Sequence, residues 1–240
     1  MSTTPQYSSV RSAARRRDSI IALAWVGATV AFTLAWTVLG FLNDGYTLYD
    51  TVIEDYSPVH QPISGLGLGS TALAMNTAFV LYGLSTVAGA VATSRLLGAV
   101  DARLSRPTLI TMGLHGVGAI LVGLFTLESM DLHSLGFLGV LAPIVGFVVL
   151  GRRMARQPAL ATLGRILVRV AAPLSVVLLV AFFASFNPEA AGEGRGIAGL
   201  TQRALIVYIQ VWIGVVVIAA VRHAGRIQTA SRSGSAQSAP

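Results

Sequence analysis

The chain has 240 residues, of which 54% are hydrophobic and only 11% are charged, and its mean hydropathy is +0.70. Soluble domains normally carry roughly a quarter of their residues as Asp, Glu, Lys and Arg, so this composition excludes a protein whose surface mostly faces water. The absence of cysteine excludes disulfides, thiolate catalysis and cysteine-based metal sites.

Six uncharged, apolar stretches are each long enough to cross the roughly 30 Å hydrocarbon core of a bilayer as a helix. Because unpaired backbone groups are costly in lipid, each stretch is predicted to be helical. The first is longer than the roughly 7–15 apolar residues of a signal peptide, which favours a retained helix. In chain order the stretches lie between Asp18 and Asp44, from near Ser70 to Arg95, between Arg106 and Glu128, between His133 and Arg152, between Arg169 and Glu189, and between Arg203 and Arg222.

The charged residues between these stretches predict the orientation of the chain. All 17 basic residues are arginines, and with the N-terminus inside the cell only Arg195 and Arg203 fall on the outer side. Of the ten acids, only Asp18 and Asp101 fall on the inner side. Because arginine-rich loops resist translocation, both termini are predicted to be cytoplasmic. The arginines that give the chain its formal charge of +7 then face the anionic lipid of the inner leaflet, so a nucleic-acid partner is not needed to explain the charge.

The predicted fold is therefore all-α, a polytopic bundle of six transmembrane helices in the cell (plasma) membrane. The membrane domain is expected at 18–222, between polar tails without fixed structure at 1–17 and 223–240. Several small residues suit close helix packing, and mid-span Pro143 and Pro173 are expected to kink helices four and five. These small residues are Gly113, Gly116, Gly136, Gly139 and Ala142.

The longest outer segment runs from Asp44 to about Gly69. Apolar and aromatic residues recur there at steps of three and four, which predicts a short amphipathic helix on the outer surface with its tyrosines at headgroup depth. The Gly- and Pro-rich stretch PVHQPISGLGLGS then requires the backbone to turn before the second span. The recurring residues are Tyr46, Tyr49, Ile53 and Tyr56.

Three blocks of sequence resemble a prokaryotic family of six-span membrane proteins, domain of unknown function 998. They are YSPVHQPISGLGLGSTALAMNTAFVLYGL, GLHGVGAILVGLFTLESMDLHSLGFLG and the pair Gln202–Arg203. The resemblance covers most of residues 20–222 and implies a six-helix membrane fold, without implying an activity. The chain departs from the expected family pattern at two places. Gly65 stands where an acid is expected, and Thr126-Leu127-Glu128 stands where a Pro-x-Asp turn is expected.

Eight polar residues from three loops are predicted to share the outer face. A histidine with carboxylates and a serine could supply a general base, its orienting group and a nucleophile, and an arginine could bind an anionic headgroup. The catalytic candidates are His60, Ser64, Glu128 and His133, and the ligand-binding candidates are Tyr56, Asp131, Gln202 and Arg203.

Two alternatives remain open for these residues. The first is a metal site, since imidazole and carboxylate groups bind metals; its ligands would be His60, Glu128, Asp131 and His133. The second is a purely structural role, with Arg203 paired to Asp131 or Glu128 and His133 capping helix four.

Five polar residues are predicted to lie within the hydrocarbon. His115 lies on helix three at the depth of Tyr82 and Ser85 on helix two, and Asn76 and Gln210 match each other in depth nearer the outer side. Ionisable groups in membranes often mark a pathway. A neutral His115 bonded to Tyr82 or Ser85, joining two helices, is the simpler interpretation.

Three functions are compatible with these observations. The first is binding or modification of a lipid or small polar ligand at the outer face, with membrane lipids as partners and no cofactor. The second is a small-molecule permease that uses the intramembrane polar residues. The third is a non-catalytic subunit of a membrane assembly.

Overall fold

In a computed structural model, the backbone of residues 4–237 is described, together with the side chains of residue 10 and residues 12–226 except 188. Six helical segments are long and apolar enough to cross a membrane, which confirms the predicted all-α bundle. The helices and strands are α1 (Thr4–Leu39), β1 (Tyr46–Leu48), β2 (Thr51–Ile53), α2 (Ala72–Gly98), α3 (Ala102–Leu124), α4 (Met130–Val140), α5 (Ala142–Met154), α6 (Ala161–Ile166), α7 (Ala172–Ser185), α8 (Pro188–Gly192) and α9 (Ala198–Gln237).

The fourth and fifth spans are both interrupted near a proline, as the sequence predicts. Pro143 lies in the first turn of α5, just after α4 ends at Val140. Pro173 lies in the first turn of α7, directly after a π-helical turn at Leu167–Ala171. Proline has no N–H to donate to the carbonyl four residues earlier, so the helix must bend or widen there.

The two terminal helices extend beyond the predicted spans. α1 begins at Thr4 and α9 ends at Gln237, whereas the sequence predicts tails without fixed structure at 1–17 and 223–240. A helix already nucleated in a span gains one hydrogen bond for each residue added, and nothing in these segments breaks it. The first and last three residues of the chain lie outside the described residues, and the domain division at 18–222 stays a prediction.

The segment after α1 folds as a β-hairpin, so the amphipathic helix predicted there is wrong. Tyr46 pairs with Ile53 across the hairpin in antiparallel register. Aromatic and β-branched residues favour strands, and Tyr49 adopts a left-handed φ of 52° at the turn. Gly45 has a φ of 99°, and a Cβ there would lie 2.1 Å from the carbonyl oxygen of Ile53, so only glycine fits.

We call the two ends of the bundle the hairpin end and the arginine-rich end. The hairpin end carries residues 40–71, 125–129 and 186–197, and the arginine-rich end carries the turns at 99–101 and 155–160. Each half of the bundle has its own apolar core. The core of the hairpin end reaches out of the helices and includes residues from the hairpin and the following loop: Tyr46, Ile53, Tyr56, Ile63 and Leu66.

Glycines set the closest approaches between neighbouring helices. A Cβ on Gly83 of α2 would lie 2.6 Å from the carbonyl oxygen of Gly116 on α3, and a Cβ on Gly118 of α3 would lie 2.4 Å from that of Gly136 on α4. Gly113, also predicted to pack closely, has no atom within 4 Å of its Cβ position among the described residues. Close packing by small residues is thus confirmed for some of the predicted glycines and wrong for Gly113.

Candidate functional site

The hairpin end contains a cavity of about 300 Å³, which we call the phenylalanine cavity. It lies between the hairpin, α4, α7 and the start of α9, and most of its lining is apolar or aromatic. Exposed residues stand at its rim, including Tyr49 at 64% exposure and Phe183 at 56%. The aromatic side chains of its wall contact one another and come from α4 and α7 and the residue after it: Phe137, Phe182, Phe183 and Phe186.

Three buried polar side chains lie at the inner end of this cavity. Ser64, His133 and Gln202 are only 8%, 6% and 6% exposed, and they also line a second, smaller cavity of about 40 Å³. We call this smaller space the inner cavity. It continues into the bundle, where its polar lining consists of Tyr82, His115 and Gln210. Ser64, His133 and Gln202 were candidates from the sequence, and the structure brings all three to the same place.

His133 presents one nitrogen as a hydrogen-bond acceptor. Its Nδ1 lies 2.8 Å from the backbone oxygen of Phe125. Because a carbonyl can only accept, Nδ1 must carry the hydrogen, and in the neutral imidazole Nε2 then carries none. Among the described residues Nε2 has no hydrogen-bond partner. His133 thus ties the start of α4 to the end of α3 and keeps a free acceptor.

Gln202 and Ser64 complete the polar group. The side-chain oxygen of Gln202 accepts from the backbone N–H of Ile63 at 2.6 Å, which leaves its amide nitrogen without a partner among the residues described. The hydroxyl of Ser64 likewise has none there. The site therefore holds one free acceptor, one free amide donor and one hydroxyl.

Arg203 lies beside this site, and both terminal nitrogens of its guanidinium donate hydrogen bonds within the protein, whereas its Nε has no partner among the described residues. It is 8% exposed, and its side chain donates to the backbone oxygens of Pro58, Gln61 and Gly199 at 2.7, 2.9 and 3.1 Å, and to the hydroxyl of Tyr56. The predicted pairing of Arg203 with Asp131 or Glu128 is wrong. The guanidinium donates to backbone carbonyls of the loop and of α9 instead, because the loop folds over the start of α9.

The phenols of Tyr46 and Tyr56 stay protonated beneath the loop. Burial raises the pKa of Tyr56, and the neighbouring Arg203 guanidinium offsets part of this rise. Burial, together with repulsion from Tyr56, raises the pKa of Tyr46 well above its ordinary value of 10.0. Both phenols are 8% exposed or less, so they pack inside the protein, while their predicted position at headgroup depth stays a prediction. Tyr56 is therefore a donor, and it donates to the backbone oxygen of Pro62 at 3.0 Å.

Three further predicted site residues lie away from the cavity polar groups. His60 donates from Nδ1 to the oxygen of Gly196 at 2.6 Å. Glu128 is exposed and accepts from the hydroxyl of Thr126, and Asp131 is exposed as well. Within the described part of the chain, no three His, Asp or Glu side chains lie close enough to hold a metal ion. The alternative metal site therefore does not assemble.

The intramembrane polar residues form a hydrogen-bonded chain. His115 donates from Nδ1 to the oxygen of Val140 at 2.6 Å and accepts from the Tyr82 hydroxyl at 2.9 Å. Gln210 donates to that hydroxyl at 3.5 Å and accepts from Thr33. The predicted joining of two helices by His115 is confirmed and extends to a third helix. The structure does not pair Gln210 with Asn76.

A family model covers most of this architecture. It matches residues 26–219 and describes a protein of unknown function, DUF998. The chain belongs to this family. The DUF998 match includes both cavities and the loop around Arg203, which confirms the resemblance seen in the sequence. No curated protein and no solved structure matches the chain significantly.

One departure from the expected DUF998 pattern has a structural explanation. At Gly65, where an acid was expected, a Cβ would lie 2.6 Å from the hydroxyl of Tyr46. In this member of the DUF998 family the Tyr46 ring thus occupies the space that a side chain at position 65 would need.

Several residues that build the site were not identified from the sequence. Gln61 is 1% exposed; it accepts from Ser57 N–H at 2.5 Å and donates to the oxygen of Ala191 at 2.6 Å, joining the loop to α8. Asn43 similarly joins the end of α1 to Thr71 and Leu68. The phenylalanines of the cavity wall were missed as well. Their close spacing at the end of the fifth span was the signal for an aromatic site, because a helix that only spans the membrane does not require several phenylalanines at one end.

Proposed function

We propose that this DUF998 protein binds an amphipathic ligand from the membrane in the phenylalanine cavity. The observation that carries the proposal is an aromatic cavity of about 300 Å³ that ends on three buried polar side chains. Small-ligand sites combine an apolar lining with a few convergent polar groups in this way. The apolar part of the ligand would contact the phenylalanines, and its polar group would contact Ser64, His133 and Gln202.

The charge of the site supports a ligand with an uncharged polar group. Arg203 is already bonded to four oxygens, and the acids Glu128 and Asp131 are exposed and line neither cavity. A charged group buried at Ser64, His133 and Gln202 would have no opposite charge to compensate it, at a cost of several kcal/mol. Recognition of an anionic headgroup by Arg203 is therefore not part of the proposal.

The permease alternative has less support from these contacts. Asn76, one of the residues of the suggested path, donates to the oxygen of Gly67 and lines neither cavity. Beyond His115 the arginine-rich half of the bundle has a large apolar core that includes Leu97, Leu104 and Phe147.

The hairpin end is proposed to face away from the cytoplasm, with both termini cytoplasmic in the cell membrane. The arginine bias of the loops supports this orientation. A groove lined by Arg222 and Arg226 at the arginine-rich end would suit the anionic lipid of the inner leaflet. An alkaline phosphatase fusion after Arg226 should be inactive, and a fusion within the hairpin at Asp50 should be active. The reverse pattern would contradict the orientation.

Filling the phenylalanine cavity should abolish ligand binding without unfolding the protein. Ser134 lines the cavity from α4, whereas its neighbour Leu135 is 57% exposed and lines neither cavity. We expect Ser134→Trp to reduce labelling by a photoactivatable, alkyne-tagged single-chain lipid at least about tenfold, because the indole occupies the ligand's space. Labelling would be quantified and mapped by mass spectrometry on the purified full-length protein in nanodiscs.

The matched control is Leu135→Trp, which adds the same side chain on the lipid-facing side of α4 and should leave labelling unchanged. Thermal unfolding of both variants would check that they are folded. The labelling would be repeated with single-chain probes that bear an alcohol, an ester or a phosphate. Equal labelling of the wild-type protein and the folded Ser134→Trp variant by all three probes would contradict binding in this cavity.

A further inference from the structure

We infer that the polar group of the ligand is a hydroxyl, so that the site selects long-chain alcohols over the corresponding ethers and esters. This inference rests on the proposed function and deepens it. It derives from the hydrogen-bonding roles that the protein leaves free at the inner end of the phenylalanine cavity.

The first requirement is a donor on the ligand. His133 uses its only N–H on the backbone oxygen of Phe125, so the Nε2 that remains can only accept. No hydrogen bond joins it to Ser64 or Gln202 in the part of the chain that the structure describes. An ether, ester or ketone carries no hydrogen to donate and would leave this buried nitrogen unpaired.

The second requirement is an acceptor on the ligand. The amide nitrogen of Gln202 can only donate, and the side-chain oxygen of Gln202 is already bonded to the N–H of Ile63, so this side chain offers the ligand a donor. A hydroxyl donates once and accepts up to twice. It can therefore donate to His133 while accepting from Gln202 and from Ser64, and all three buried groups are satisfied together.

The size and charge of the site exclude other head groups. Beyond the three polar side chains, the inner cavity measures only about 40 Å³, which is room for a few water molecules. A sugar does not fit there. An ammonium or a phosphate would be buried without an opposite charge.

The experiment compares competitors that differ by one functional group. Full-length protein in nanodiscs is labelled with a photoactivatable long-chain alcohol, and cetyl alcohol, its methyl ether and methyl palmitate compete for the cavity. We expect cetyl alcohol to displace the probe at a concentration at least roughly tenfold lower than the other two, because buried groups left unpaired discriminate strongly against a ligand that lacks the hydrogen.

Ser64→Ala serves as a second, structurally mild test. The Ser64 hydroxyl has no partner among the described residues, so its removal should leave the fold intact. Affinity for the alcohol should fall several-fold, while the preference over the ether should persist because His133 still needs a donor. Loss of the preference for the alcohol over the ether in this variant, or an unchanged affinity for the alcohol, counts against a hydroxyl bound between Ser64 and His133.

The outcomes separate the inference from the proposed function. Displacement of the probe by the alcohol and the ether at equal concentrations overturns the hydroxyl inference and leaves binding in the cavity standing. Better displacement by cetyl phosphate than by the alcohol overturns it too. Labelling that no competitor reduces, and that Ser134→Trp leaves unchanged, overturns the proposed function itself.

Discussion

Arg203→Ala is expected to unfold the hairpin end and to remove most of the folded protein from the membrane. Three backbone oxygens, of Pro58, Gln61 and Gly199, accept hydrogen bonds from this one side chain. Its guanidinium carbon also lies 5.4 Å from the ring centre of Trp36, within range of a cation–π interaction. These contacts join α1, the loop and α9.

The expected loss is roughly 3–5 kcal/mol, since a hydrogen bond to a charged group contributes about 1.5–3 kcal/mol and bonds to one shared group do not add fully. Arg203→Lys should recover only part of it, because an ammonium cannot match the planar guanidinium. The loss of stability would be measured by thermal unfolding in detergent, with size-exclusion chromatography used to quantify the protein that remains folded.

Arg195→Ala is the matched control, since Arg195 lies on the same end of the bundle. Its side chain is 71% exposed and pairs only with Glu193 among the described residues, and such surface pairs contribute about 0–1 kcal/mol. Its melting temperature should stay close to that of the wild type. Similar melting temperatures for Arg203→Ala and Arg195→Ala would show that the contacts of Arg203 are dispensable.

Gly118→Ala should destabilise the bundle strongly, although it adds a single methyl group. A Cβ at Gly118 would lie 2.4 Å from the oxygen of Gly136 and 2.5 Å from the nitrogen of Val140. Both atoms belong to the backbone of α4, so neither can move without shifting the helix. Separating α3 and α4 would cost roughly 1–3 kcal/mol, the typical range for overpacking. It would also disturb His115, which donates to the oxygen of Val140.

Gly113→Ala provides the comparison on the same helix. No described atom lies within 4 Å of its Cβ position, and alanine favours a helix interior over glycine by roughly 0.5–1 kcal/mol. We expect it to be neutral or slightly stabilising. Both variants would be compared by thermal unfolding in the same detergent, and a Gly118→Ala protein as stable as Gly113→Ala would contradict the close α3–α4 contact.

The sequence predicted the site only in part, and particular residues show why. Ser64, His133 and Gln202 were identified because polar residues beside apolar spans are few. Their shared cavity, and the exclusion of His60, Glu128 and Asp131 from it, depend on how the loop folds back. The hairpin was predicted as a helix because Tyr46, Tyr49, Ile53 and Tyr56 match a helical period, whereas strand pairing and Gly45 determined the outcome.

The role of Arg203 was also beyond local sequence reasoning. Its partners Pro58 and Gln61 are distant in the chain, and backbone oxygens are invisible in a residue pattern. A charged side chain in a sequence suggests pairing with an opposite charge, but here the acceptors are backbone carbonyls of the loop and of α9.

The sequence by itself determined the six membrane spans and the breaks near Pro143 and Pro173. Hydrophobic length and missing N–H groups act locally, so these features follow from the residues alone. Only the tertiary structure decided which polar groups face one space and which hydrogen bonds they still lack. Those depend on contacts between residues far apart in the chain, such as Ile63 with Gln202, and the chemistry of the cavity arises from them.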